Sequence, residues 1–232
     1  MDYKLPRHTI VEDLQELYTK KVAETELYLP KAKKLHVDQI HKVSALIEQD
    51  GLPKHLYVQK LKGNIGHGVF LHPNAKPIQK GDVIAPYSGE VFLCPLNESN
   101  NSDYVFTLID KMYLSKEEQG IWDPKNRYHP RRHYSLNLDA GKTGNFTRFI
   151  NHSEKPNVKA EHLTIPVNAA GKKKPSYEIV YLAKKTINPG EQLLVCYEGG
   201  DTKSYWGALK IEPFKMTPTT FKLNEELKLV SK

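Results

Sequence analysis

With 232 residues, 39% of them hydrophobic and 26% charged, the chain suits one mid-sized domain with an extension or two small units, and its composition is not that of a disordered protein. The net charge of +7 favours acidic partners such as nucleic acid, although so mild an excess ordinarily serves solubility. Two cysteines, Cys94 and Cys196, exclude a disulfide framework or a cysteine-rich zinc module, and no metal is expected. No run approaches the ~18 apolar residues of a membrane helix, and Met1 to Pro6 lacks the apolar core of a secretory signal; the expectation is a soluble intracellular, cytoplasmic protein, the nucleus or delivery into a host cell being compatible with the same features.

The first 54 residues hold nine basic and nine acidic side chains, so the whole positive excess lies beyond them. Thr9 and Glu12 form a capping box, in which hydroxyl and carboxylate each satisfy an orphan amide, and Val11, Leu14, Tyr18 and Val22 then recur on one helical face. Pro30 ends that segment. Val37, Ile40, Val43 and Ile47 make a second stripe, stopped by Gly51 and Pro53. Two such helices cannot hide both stripes alone. Packing on the following domain is the plain expectation, and a homodimer through these helices is the other arrangement that would cover them.

From Leu56 the texture changes to short β runs cut by Gly and Pro, at residues 56–61, 69–71, 83–87, 90–93 and 104–109. Residues 111–138, rich in aromatics and charges and interrupted by Gly120 and Pro124, read as an insert of the recognition-loop kind. Further β runs follow at 158–163, 179–183 and 192–196, with Asn188-Pro189-Gly190 a strong turn signal before the last. Gly171 to Pro175 reads as a solvated basic loop, and residues 224–230 as a weak helix. The chemistry-bearing stretches lie among these runs. Gly63 to Phe70 is glycine-rich, and a Gly-x-Gly lets backbone amides approach a ligand closely. No helix follows, which excludes a Rossmann fingerprint, and no Lys-Ser/Thr follows, which excludes a Walker loop. Alone, the stretch is better read as a tight hairpin. Arg148-Phe149-Ile150-Asn151-His152-Ser153 alone is a strand entering a turn, and Gly190 to Tyr197 alone is a buried strand with a polar tip.

Together with Tyr87-Ser88-Gly89-Glu90 and Ser102-Asp103-Tyr104, these motifs fall in one order, and the series resembles the SET domain of protein-lysine methyltransferases over roughly residues 56–206. The resemblance implies a mainly β fold with a helical extension: a SET-type β-clip of small sheets with a C-terminal pseudoknot, preceded by two N-terminal helices. It divides the chain into a helical extension (1–54), a catalytic domain (55–200, insert 111–138) and a segment closing the site (201–232). It implies S-adenosylmethionine as cofactor, held by Gly66, His67, Gly68, Asn151 and His152, with Tyr104, Arg148 and Trp206 contacting or supporting it. Tyr197 matches the main catalytic tyrosine and Tyr87 the tyrosine lining the lysine channel. The implied substrate is a lysine of a histone or histone-like protein; the alternatives are a catalytically silent module that binds chromatin or a partner, and a methyltransferase for a non-histone protein. The basic surface would then contact the nucleic acid on which such a substrate sits. Two positions depart from the family pattern. Cys196 stands where many members carry Asp, and Val195, where many carry Phe or Tyr, leaves the number of methyl groups open.

Overall fold

The computed structural model describes residues 17, 18, 20–22, 31–61, 66–96, 104–169 and 172–197. The Thr9–Glu12 capping box, Gly63 to Ile65, Ser102-Asp103, Tyr205, Trp206 and the helix expected at 224–230 lie outside these. The described chain is mostly strand, with few helices. It divides into two compact units, each drawn from separated segments: residues 1–29, 88–144 and 166–176 form one, and 30–87, 145–165 and 177–232 the other.

The first unit is built on a three-stranded antiparallel sheet of β4 (Glu90–Pro95), β5 (Val105–Tyr113) and β6 (His133–Asp139), with β6 in the middle. The expected insert therefore contains the central strand. Tyr134, Leu136 and Leu138 are buried at alternate positions, the period of a strand with one face in a core. The charges of Arg131-Arg132 immediately before it concealed this run. The insert also holds helix α2 (Lys116–Trp122), which starts at a capping box: the Ser115 hydroxyl accepts from the Glu118 amide and the Glu118 carboxylate from the Ser115 amide. The same carboxylate takes Lys20 (2.6 Å) and Lys21 (2.9 Å). Burial pushes the Glu118 carboxyl up, but hydrogen bonds from Lys20, the Ser115 amide and Lys21, with the charge of Lys21, outweigh it and hold the group at about 2. Gly89 is required here, since a Cβ would stand 2.5 Å from the carbonyl oxygen of Asp139.

The second unit holds helix α1 (Lys34–Asp50), a β1–β2 hairpin (Leu56–Lys60, His67–Leu71) and a five-stranded sheet ordered β3-β9-β8-β10-β7. Its strands are β3 (Val83–Pro86), β7 (Asn151–His152), β8 (Val158–Ala169), β9 (Lys172–Ala183) and β10 (Leu194–Val195); the outer ends of β8 and β9, residues 166–176, belong to the first unit. The Gly171 to Pro175 stretch thus continues into strand β9 rather than forming a loop throughout. Helix α1 stops at Gly51, whose left-handed φ of 71° lets its amide bond the Ile47 carbonyl at 2.8 Å. Its apolar stripe is covered within this unit: Ile40 clusters with Val83, Leu163, Ile165, Val180 and Leu182, and Val37 packs against them. Side chains alternate along a strand, so with Val180 and Leu182 on the α1 face of β9, Tyr181 between them faces the other side.

Candidate active site

Two chain segments border strand β2. On one edge it pairs antiparallel with β1, from Leu56↔Leu71 to Lys60↔His67. On the other it takes residues 190–193: the Leu71 amide donates to the Glu191 carbonyl (2.9 Å), the Leu193 amide to the Val69 carbonyl (2.8 Å), and Phe70 bridges Gln192. The glycine motif opens β2. Gly66 has φ 82°, a left-handed value that favours glycine, and a Cβ there would meet nothing within 4 Å, so the main chain borders open space. Gly68 is required for another reason: a Cβ would lie 2.7 Å from Nε2 of Gln192, 3.2 Å from Phe70 and 3.3 Å from Leu61.

The segment after residue 193 enters a narrow slot. Strand β10 lies parallel to β7 on one edge (Leu194↔Asn151, Val195↔His152) and to β8 on the other (Val195↔Val158). Residues 153–157, which join β7 to β8, cross it, with the Ser153 amide on the Val195 carbonyl (2.9 Å) and the Asn157 amide on the Leu194 carbonyl (3.1 Å). This is the threaded connection the resemblance implied, and such threading is rare among folds. Two-residue strands carry few ladder bonds, and the buried side chain of Asn157 adds two. Its Nδ2 donates to the Gln192 carbonyl and its Oδ1 accepts from the Leu194 amide, both at 2.8 Å.

The slot brings the expected residues together. Asn151 Nδ2 donates to the His67 carbonyl at 2.7 Å, tying the β7 segment to the glycine motif. Nδ1 of His152 accepts the Tyr197 amide at 3.1 Å, and the two rings meet edge to face at 5.3 Å. An accepting Nδ1 carries no proton, which puts the proton of the neutral imidazole on Nε2. The His152 side chain is thus turned to the tyrosine. The Tyr197 hydroxyl donates to the Ile150 carbonyl at 3.2 Å; the residue is 43% exposed, yet its backbone and its hydroxyl are both fixed. The Arg148 guanidinium stands over the Phe149 ring at 5.1 Å, and that ring meets His67 at 5.4 Å.

Tyr87 follows β3, where its amide donates to the Ile179 carbonyl on β9 (2.8 Å), and its ring packs on Tyr181 at 5.7 Å. Burial pushes the Tyr181 phenol well up, and Tyr87 and Tyr197 push it further, so Tyr181 lies within electrostatic reach of both. Tyr104 belongs to the first unit, where its carbonyl accepts from the Ala140 amide at 3.0 Å. Trp206 lies outside the described residues. Asn157 and Tyr181 carried no role in the sequence reading. Asn157 lies just after the Asn151-His152-Ser153 motif with no signal of its own, and Tyr181 was visible only as one member of an apolar β run.

The residues present suit an adenosyl-sulfonium cofactor. Gly66 leaves main chain open to a ligand, and behind Gly68 the buried Nε2 of Gln192 is a donor with no hydrogen-bond partner among the described residues.

A SET-domain profile matches residues 66–198, more than half of the chain. Among curated proteins, the chain is 30% identical over 123 residues to the histone-lysine N-methyltransferase ATXR7 of Arabidopsis thaliana, covering 53% of this chain and 7% of that one. It is 30% identical over 131 residues to an H3 lysine-4 specific histone-lysine N-methyltransferase of Schizosaccharomyces pombe, covering 56% and 11%. The chain thus spans about a tenth of the length of these relatives. Among solved structures, the ATXR5 SET domain in complex with a histone H3 di-methylated on R26 superposes with a TM-score of 0.50 at 21% identity, over 75% of this chain and 71% of the other, which supports the fold. By the extent of the profile match, the chain belongs to the SET-domain family.

Proposed function

We propose that the chain transfers the methyl group of S-adenosylmethionine to the side-chain amine of a lysine in a protein substrate, a histone being the substrate that the names of its relatives favour. Gly66, His67 and Gly68, with Asn151 behind them, would hold the cofactor, and Arg148, His152, Tyr104 and Trp206 are the further residues proposed to contact or support it. When bound, the cofactor supplies an electrophilic sulfonium methyl. The chain's own residues then have two tasks. The first is alignment, because in-line displacement needs reacting atoms ~3–3.5 Å apart. Tyr197, fixed at its amide and its hydroxyl, and Tyr87, packed on Tyr181, are the groups proposed to orient the amine. The second is to favour a neutral amine. A lysine titrates near ~10.4 in water, and a pocket walled by buried rings disfavours its ammonium.

The observation that carries this reading is the 2.7 Å bond from Asn151 to the His67 carbonyl. It joins the glycine motif to the strand pair from which Tyr197 is hung, and so draws three distant stretches of sequence into one place. The test is to incubate the full chain with labelled S-adenosylmethionine and, separately, core histones, a bacterial histone-like protein and a ribosomal fraction, then to locate any methyl-lysine by mass spectrometry. Methylated lysine in the histone arm is expected. Label only in another arm would keep the activity and overturn the histone assignment. A chain that binds no cofactor and labels nothing would overturn the activity itself.

A further inference from the structure

We propose that Tyr181 is a third phenol of the amine site and contacts the substrate amine directly, together with Tyr87 and Tyr197. This rests on the methyl-transfer reading above. The placement follows from the strand period. Val180 and Leu182 go to the α1 side of β9, in the cluster with Ile40, which leaves Tyr181 on the face that also receives Tyr87 from the neighbouring strand. Tyr181 pairs with Ala85 in the β3–β9 register, and the Tyr87 amide bonds the next residue outward on that face, Ile179. The Tyr87 and Tyr181 rings meet at 5.7 Å with 44° between their planes. Tyr197 arrives from β10, anchored by His152 and Ile150, and its phenol is near enough to disfavour ionisation of Tyr181. Tyr87 and Tyr181 thus share one face of the sheet, and Tyr197 is close enough to act on Tyr181.

The chemistry favours a ligand role over core filling. Tyr181 is 2% exposed, and a buried hydroxyl is costly unless it finds a polar partner. Phenylalanine would fill the same space without that cost; what sets Tyr181 apart from Tyr57, another buried phenol, is the Tyr87 ring beside it. A neutral primary amine offers two N–H donors beside the lone pair that must face the methyl donor, and a phenol that stays protonated can accept one of them. The class of ligand this fits is a primary alkylamine on a long aliphatic stem.

The test compares wild type with Tyr181→Phe, which keeps the ring packing and deletes one oxygen. A control is Tyr57→Phe, the same deletion at another buried phenol, whose hydroxyl has no hydrogen-bond partner among the described residues and whose ring stacks on Phe70. Cofactor Kd, melting temperature, kcat and KM on the methylated substrate are measured for each. The expected result is about a tenfold loss of kcat/KM in Tyr181→Phe, roughly one hydrogen bond to the reacting group, with cofactor Kd and melting temperature unchanged and Tyr57→Phe matching wild type. Tyr181→Phe kinetics equal to wild type would overturn the proposal. So would a loss of activity accompanied by weaker cofactor binding and a lower melting temperature, the mark of a packing role. If wild type itself transfers no methyl, the enzyme reading falls and this proposal with it; if wild type is active and Tyr181→Phe equals it, only the role of Tyr181 falls.

Discussion

The two units spend their buried polar groups differently. In the first, strands of six to nine residues pair along most of their length, and the charged cluster of Glu118 with Lys20 and Lys21 fastens a helix start. Ladder hydrogen bonds carry that sheet, and the ions serve to join pieces. In the second, the critical pairings are two residues long and parallel, between segments far apart in sequence. Such strands hold few backbone bonds, so side chains complete them: Asn157 on Gln192 and Leu194, Asn151 on the glycine strand, His152 on Tyr197. The lesson is that polar side chains in the first unit maintain a fold, whereas those in the second also hold together the residues proposed to bind and orient the reactants. Substitutions should therefore separate. Those in the slot should move activity, and those in the ion cluster should move stability alone.

The largest effect should come from Tyr197→Phe. The ring remains against His152, the backbone bond to His152 remains, and only the hydroxyl on the Ile150 carbonyl is lost. If that hydroxyl orients the transferring groups, kcat should fall about 10²–10³-fold, the usual magnitude for deleting one preorganised polar group at a reacting centre. Cofactor affinity measured by calorimetry should stay within about twofold. Parallel loss of both would place Tyr197 in the scaffold, and the contrast between the two units would lose its functional half.

How far the sequence foretold this contrast depends on the range of the interactions. The motifs themselves were legible because each is contiguous: Gly66-His67-Gly68, Asn151-His152-Ser153 and Gly190 to Tyr197 each carry residue types suited to a turn, a cap or a buried strand. Helix α1 was legible through its stripe and its terminal Gly51. The slot was legible only through the family resemblance. Nothing in the local pattern of Leu194 and Val195 points to parallel pairing with Asn151 and His152, since strands this short have no measurable period. The three-stranded sheet shows the opposite failure. Ser115-x-x-Glu118 is a readable helix start and Tyr134, Leu136, Leu138 a readable alternation, but the charged surroundings of 111–138 drew the whole stretch into one loop-like reading. Tyr181 looked like core because it is core, on a face whose significance depends on Tyr87 and Tyr197 arriving beside it.

The ion cluster supplies the counterpart to Tyr197. Glu118→Gln leaves the Lys21 ammonium, 6% exposed, beside a neutral amide. Removing one partner of a buried ion pair costs roughly 3 kcal/mol or more, so the urea midpoint should fall clearly while kcat per folded molecule stays at the wild-type value. The pH dependence has a definite sign. The folded carboxyl titrates at about 2, below its ordinary value of 4.5, so its contribution is fully present above about 4.5 and lost as pH falls through about 2. The stability gap between wild type and Glu118→Gln should therefore close on acidification over that window. A gap that stayed constant would show that the carboxylate's charge is not what stabilises this unit.

Asn157→Ala should cost less stability than Glu118→Gln and give a mixed signature that neither of the others gives. It removes two hydrogen bonds to the β10 backbone and strands the Leu194 amide and the Gln192 carbonyl in a buried slot. At roughly 1 kcal/mol for each such bond, stability should drop by about 2 kcal/mol. Activity should drop as well, because Tyr197 follows β10 and inherits any looseness in it, and a small misplacement at a reacting centre is magnified in rate. Hydrogen exchange should locate the loosening at residues 192–197 and leave β4, β5 and β6 protected as before. Were the exchange of all strands to rise together, the slot would be no more than one part of a single cooperative structure, and the division of labour between its side chains and those of the three-stranded sheet would have no energetic basis.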